Sequence, residues 1–241
     1  MRTFVVGDIH GGLKALDQVL AKVSYTREDR FIFLGDYVDG WSESAETVSF
    51  LIDFSKDYDC VFLKGNHDEL LLNYLNSKEA LPLWLVHGGA PTKEQYDALS
   101  KEEFNRHLQF FNKLKTYHID ADNRLLCHAG FTNVKGPQYE YHSHITYWDR
   151  SLWEMACALD PNLSVEDERY PKRLRLFKEI YIGHTPVTRI GRDIPVNFAN
   201  VWNIDTGAAF MGKLSMIDID SKEVWQSDPV WTLYPGENGR N

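Results

Sequence analysis

The tightest constraint on the fold is a pattern that occurs three times. Residues 4–6, 31–34 and 60–63 are nearly unbroken apolar runs. Each gives way to a glycine-bearing polar cluster: GDIHG at 7–11, GDYVDG at 35–40 and KGNHDE at 64–69. Short apolar runs bounded in this way read as buried strands. Between the first two, Leu13, Leu16, Val19, Leu20 and Val23 share one helical face. Between the second and third, SESAETVSFLIDFSKDY predicts a helix, with Ser42 or Ser44 as cap and Glu43 and Glu46 in its first turn. Strand, polar loop and helix in succession predict an α/β fold that carries its chemistry on loops beyond the strand ends.

The rhythm then loosens. A helix is expected from Asp68 to Asn76, a short extended element at 83–86 and a further helix over 101–119, where Phe104, Leu108, Phe111 and Leu114 recur at three or four. A hairpin with its turn at 120–123 and a strand at 124–127 leads to HAG at 128–130. Residues 131–176, rich in Tyr, His, Pro and acid, are expected to form a lobe or flap over the site, within one domain spanning 1–241. Tyr181 and Ile182 lead into GHTP at 183–186, and alternation with polar turns predicts antiparallel strands over 201–226. GENGRN at 236–241 is expected to be loose.

The residues at the expected strand ends are Asp8, His10, Asp36, Asp39, Asn66, His67, His128 and His184. Carboxylate and amide oxygens mixed with imidazole nitrogens suit borderline divalent ions better than soft ones. One Asp-x-His loop more often just braces a turn, but five such loops behind apolar runs point to a shared site. Asp36, on the central loop of the first three, is the natural bridge between two metals. Two ions about 3.5–4 Å apart would clamp a phosphoryl group and activate a water for in-line attack. His67 is placed to protonate the leaving group, with Asp39 to orient its imidazole.

GDIHG, GDYVDG, KGNHDE, HAG and GHTP resemble, in order, the signature of the calcineurin-like metallophosphoesterases, and in particular their phosphoprotein-phosphatase branch. IDTGAAFMGKLSMIDID at 204–220 is similar to bacterial members of that branch and to symmetrical diadenosine tetraphosphate hydrolases. The resemblance implies two facing mixed β-sheets flanked by α-helices, with a dimetal site at the strand ends. It implies Asp8, His10 and Asp36 on one metal, and Asp36, Asn66, His128 and His184 on the other. His67 would be the acid, paired with Asp39. Pro186 stands where more distant relatives carry a second histidine, which leaves the first metal fewer protein ligands.

A phosphate needs positive charge beyond the metals. The resemblance implies an arginine straight after Asp39, but Gly40 and Trp41 stand there. Arg150, in TYWDR, resembles a second phosphate-binding arginine of the family. Arg189 and Lys64 are further candidates, and the bland reading of each is a solvated side chain. Asn66 and His128 are expected to face the phosphate as well as the metal. His87, in LVHGGAPT, is expected to shape the site wall, and His142 and His144 to lie on a polar surface loop. Trp41, Tyr139, Tyr141 and Trp148 are expected either to wall an adenine or aryl group or to pack a lobe onto the core.

The expected activity is dimetal-dependent hydrolysis of phosphomonoesters, with phosphorylated Ser, Thr or Tyr in proteins as candidate substrates. The alternatives are hydrolysis of a bis(5'-nucleosyl) tetraphosphate and an inert metal-binding scaffold. Manganese is the expected metal, with Fe, Co, Ni or Zn as substitutes. The expected partner is a phosphorylated protein or a small phosphate ester. A net charge of −9 argues against a surface that coats nucleic acid or binds membranes. Three cysteines without CxxC spacing predict no disulfide framework and a reducing, cytoplasmic setting, with Cys60 and Cys127 in the core.

Overall fold

The structure, a computed structural model, describes residues 1–240. Strands β1 (Thr3–Val6), β2 (Arg30–Phe33) and β3 (Asp59–Phe62) pair in parallel, and β9 (Ser215–Asp218) and β10 (Val224–Gln226) complete a five-stranded sheet in the order β10-β9-β1-β2-β3. The second sheet runs β4-β5-β6-β8-β7, built from β4 (Tyr117–Ile119), β5 (Arg124–Cys127), β6 (Glu179–Ile182), β7 (Val196–Phe198) and β8 (Val201–Asn203). Its three central strands are parallel and its edges antiparallel.

Both faces of each sheet are covered, which is why the strands read as unbroken apolar runs. Side chains alternate across a strand. Val5, Ile32 and Leu34 therefore face inward against Leu126, Tyr181 and Ile204 of the second sheet. Phe4, Val6, Phe31 and Phe33 face outward under α1 (Leu13–Ala21), α2 (Ser44–Phe54) and α3 (Asn66–Ser77). On the far side, Leu125, Cys127, Ile180 and Ile182 meet Leu152, Trp153 and Ala156. The result is the expected α/β architecture of two mixed sheets between helical layers.

Several local expectations fail. Residues 83–86 are not extended. They lie in a kinked helical run formed by α4 (Pro82–Trp84), a π-type turn at Leu85–Gly89 and α5 (Ala90–Ala98). The kink falls at Gly88, whose φ of 99° an ordinary side chain disfavours. Helix α6 (Lys101–Asn112) stops short of 119 because residues 117–119 pair with β5 as the first arm of the hairpin. Neither Ser42 nor Ser44 caps α2. Glu43 is at the cap position without a side-chain bond, and Ser44 Oγ accepts instead from the Asp39 amide at 3.1 Å. The β9–β10 hairpin forms as expected, but residues 201–203 run parallel to β6 in the other sheet.

The segment 131–176 contributes side chains to the core of the second sheet. Helix α8 (Ser151–Ala158), behind the short α7 (Ile145–Trp148), supplies the apolar cover of the second sheet. Residues 236–240 are not loose. The Arg240 amide donates to Ala209 O at 2.9 Å, and the Glu237 carboxylate accepts from the Ser42 amide and hydroxyl. This segment follows α9 (Val230–Leu233). No helix among the described residues is long and apolar enough to cross a membrane.

Candidate active site

Six parallel strands end on one side of the sandwich, and each hands a polar residue to the same cleft. Asp8 follows β1, Asp36 follows β2 and Asn66 follows β3, while His128, His184 and Asp205 follow β5, β6 and β8. Ligands gather beyond the carboxyl ends of parallel strands because there the chain must leave the sheet and its side chains are free of packing. The turns are tight. His10, Asp36, Asp39 and His184 all have φ between 52° and 71°, a left-handed conformation that costs of order 1–3 kcal/mol per residue and persists only where the surroundings enforce it. Close approach explains two glycines. A Cβ on Gly65 would lie 2.1 Å from Asp36 Oδ1, and one on Gly183 would lie 2.0 Å from Asp8 Oδ1.

Two groups of donor atoms result, Asp8–His10–Asp36 and Asp36–His128–His184, and each is compact enough to hold one metal ion. Asp36 belongs to both. The imidazoles are aimed by their second nitrogens. His10 Nδ1 donates to Asp39 O at 2.9 Å and His128 Nδ1 to Leu34 O at 2.9 Å, which turns each Nε2 toward Asp36 Oδ2. Asn66 Oδ1 lies 2.9 Å from His184 Nδ1 and 3.3 Å from His128 Nε2.

The donor set fits divalent cations. Asp8 Oδ1 and His184 Nε2 are buried without a hydrogen-bond partner among the described residues. Burial, with Asp205 and Asp36 nearby, pushes the Asp8 carboxyl well above the usual range, and burial pushes Asp205 up to about 6. Burial also opposes ionisation of Asp36, but His128 and His67 overcome it and hold that carboxyl well below the usual range. Buried carboxylates crowded this way call for a cation to offset them.

Beside this cluster, Asp39 Oδ2 accepts from His67 Nδ1 at 2.6 Å and from the Trp84 indole N–H at 2.7 Å. The pairing of His67 with Asp39 follows the sequence reading; Trp84 escaped it, since it sits in the segment expected to be extended. Asp68 also escaped notice. Its carboxylate accepts from the amides of Asp36 and Tyr37 at 2.9 Å and of Gly65 at 2.7 Å, tying the second loop to the third. Burial and the charge of Asp36 push it up to about 7. Its acidic position in KGNHDE was the only available signal. Asp205 lies within the IDTGAAFMGK stretch that resembles the family, but only the topology shows that β8 carries it to the cleft.

The cleft is lined by His10, Asn66, His67, His184 and Asp205 together with Arg150, Arg189 and Arg240. It therefore includes both expected arginines and a third from the segment expected to be loose. Trp41 is not a wall of the site. It is fully buried, stacks on Tyr234 at 5.3 Å and donates its indole N–H to Ala208 O at 2.8 Å. Phe210 lines the cleft, and Trp148 lies 6.4 Å from the His184 ring and donates to Glu69 at 3.0 Å. Tyr139, Tyr141, His142 and His144 are exposed. Lys64 is 6.0 Å over the Tyr147 ring, and His87 offers its carbonyl to Arg240.

The family model for calcineurin-like phosphoesterases matches residues 1–206. A curated relative, bis(5'-nucleosyl)-tetraphosphatase PrpE [asymmetrical] of Oceanobacillus iheyensis, is 23% identical over 239 residues, covering 92% of this chain and 90% of its own. Among solved structures, a proposed diadenosine tetraphosphatase superposes with a TM-score of 0.64 at 18% identity, covering 93% of this chain and 92% of that one. A protein serine/threonine phosphatase from Saccharomyces cerevisiae superposes at 0.58 and 17% identity, covering 95% and 80%. These structural matches show likeness of fold. With the strand-end cluster and a model match over most of its length, the chain belongs to the calcineurin-like phosphoesterases, and so to the metal-dependent hydrolases of that superfamily.

Proposed function

We propose that this protein hydrolyses a small phosphoanhydride, of the dinucleoside tetraphosphate class, rather than a phosphoprotein. The observation that carries the reading is a pair of adjoining clefts. Arg150, Pro186 and Arg189 line the metal cleft and also a neighbouring groove of about 400 Å³ that includes Trp153, Glu154, Ala158 and Ile190. A phosphate chain bridging the two clefts would keep one phosphorus at the metal ligands and leave an apolar group beside Trp153 and Ile190. The relatives named as tetraphosphatases, matched nearly end to end, support this reading over the phosphomonoesterase one. They are named asymmetrical, whereas the sequence pointed toward symmetrical hydrolases.

Asp8, His10 and Asp36 would hold one ion, and Asp36, Asn66, His128 and His184 the other. Such a pair, manganese or another borderline divalent ion by the mixed oxygen and nitrogen donors, would supply Lewis acidity and activate water for attack. The protein's own part is proton transfer and grip. Asp39 accepts from His67 Nδ1 and fixes the ring, so that Nε2 is the nitrogen that would serve the leaving oxygen as general acid. Arg150 and Arg189 hold the phosphate oxygens that the metals do not reach.

The test is a panel of diadenosine tetraphosphate, an aryl phosphate and a phosphopeptide against Mn, Fe, Co, Ni and Zn. Products are resolved by chromatography. The expected result is fast turnover of the tetraphosphate to a nucleoside triphosphate and monophosphate. In His67→Ala, kcat should fall by about 10²–10⁴-fold with metal content unchanged. Faster turnover of the phosphopeptide, or none of any substrate with all five metals, overturns the reading.

A further inference from the structure

Where an arginine was expected beside Asp39, the backbone excludes one. Gly40 has φ 119°, and a Cβ there would lie 3.2 Å from His10 O and 3.4 Å from Arg240 Cγ. The space is taken by a side chain from 200 positions further along. A Cβ on Gly88 would lie 2.9 Å from the same Arg240 Cγ, and the Gly40 amide donates to Gly88 O at 3.2 Å. Two glycines joined by one hydrogen bond thus form the seat for the aliphatic stem of Arg240. Its Nε donates to His87 O at 3.1 Å, and its guanidinium carbon lies 5.4 Å from the Phe210 ring centre.

Trp41 builds the other half of the seat. A Cβ on Gly239 would lie 2.8 Å from the Trp41 ring, so only glycine lets the chain pass over the indole, and Glu237 bonds Ser42 next to it. The GW pair after Asp39 is therefore a docking point for residues 234–240. The guanidinium so placed lines the metal cleft with Arg150 and Arg189, and none of the three forms an ion pair among the described residues. The three guanidinia repel one another, while Asp205 in the same cleft attracts Arg240. Burial and the charges of Arg189 and Arg240 hold Arg150 below its ordinary value. An anion with several oxygens relieves that repulsion.

We infer that Arg240 is a substrate-binding residue of this site, gripping a phosphate oxygen from the position that Gly40 leaves open. The inference rests on the phosphate-ester reading of the cleft and adds a residue to it. A purely structural latch, in which Arg240 does no more than bond His87 O, is the competing account.

The test compares Arg240→Ala, Arg240→Gln and Arg240→Lys with the wild-type protein and with the remote Arg27→Ala, all loaded with manganese. Binding of inorganic phosphate is titrated by calorimetry, with metal content and thermal midpoint measured alongside. Loss of one charge-assisted, forked contact should weaken phosphate binding about 10- to 100-fold in Arg240→Ala and Arg240→Gln, with metal content and midpoint unchanged. Arg240→Lys should recover only part, and Arg27→Ala should match wild type. With turnover, the loss should appear in KM more than in kcat. Unchanged phosphate affinity in both Arg240→Ala and Arg240→Gln overturns the assignment, as does a loss that tracks falling metal content. If wild type turns over no substrate yet binds phosphate in an Arg240-dependent way, the hydrolase reading fails and the assignment stands.

Discussion

The two sheets solve the same geometric problem with opposite chemistry. The ends of β1, β2 and β3 deliver Asp8, Asp36, Asp39, Asn66, His10 and His67, mostly oxygen donors. The ends of β5 and β6 deliver His128 and His184, and the segments beyond them add Arg150 and Arg189. The first sheet therefore contributes most of the negative charge and the second much of the positive. Candidate metal donors come from both sheets, whereas Arg150 and Arg189 come from the second alone. The connections differ as well. Helices of nine and eleven residues join the first three strands, whereas residues 128–178, which include α7 and α8, separate β5 from β6 and short turns join β4 to β5 and β7 to β8.

Asp36, the residue common to both metal groups, tests this division hardest. Asp36→Asn should lose both ions by elemental analysis and more than about 100-fold in activity, whereas His184→Ala should lose one ion. Retention of both ions by Asp36→Asn would break the comparison, since the two halves would then bind metal independently. A smaller effect is expected of Trp84, whose N–H supports Asp39 from outside both sheets. Trp84→Phe keeps the packing and removes the donor, so kcat should fall roughly 10-fold, with metal content and KM near wild type. No change in kcat would mean that His67 alone suffices to orient Asp39.

The smallest effect concerns stability in the outer layer of the first sheet. His107 is buried between Ser49 Oγ at 2.8 Å and Tyr96 Oη at 3.2 Å. Burial lowers it from 6.5 to about 4, with Glu103 opposing and Arg106 assisting the fall. The folded state holds His107 neutral where the unfolded chain already binds a proton. Its stabilising contribution is therefore present above pH 6.5 and is lost as pH falls toward 4, by on the order of 3 kcal/mol at most. Denaturant titrations across that window should show the slope shrink in His107→Gln. An unchanged slope would assign acid sensitivity to the metal-site carboxylates instead.

Much of the first half was legible because its signals are local. An apolar run, a glycine and an Asp or Asn, followed by a helical period, occupy one short window. Neighbouring parallel strands then align those windows at one edge, so the pairing of His67 with Asp39 could be read before the fold was known. Residues 83–86 read as extended because LPLWLV is apolar on every side and too short for its period to separate helix from strand. Ser44 does not cap because it is the first residue of α2, and its hydroxyl is engaged by the Asp39 amide and the Thr92 hydroxyl.

The sequence by itself determined the donor types, their order along the chain and the strand ends that carry them, since these depend on short-range pattern and on the chemistry of Asp, Asn and His. Only the tertiary structure decided what completes the site. Trp84 and Arg240 carry no motif, and each is held in place by contacts that span long stretches of chain, Trp84 to Asp39 and Arg240 to His87. The meaning of Gly40–Trp41 changed for the same reason. A missing arginine in the sequence is, in space, a seat for Arg240, because backbone geometry at Gly40 and Gly88 opens room that no local pattern records.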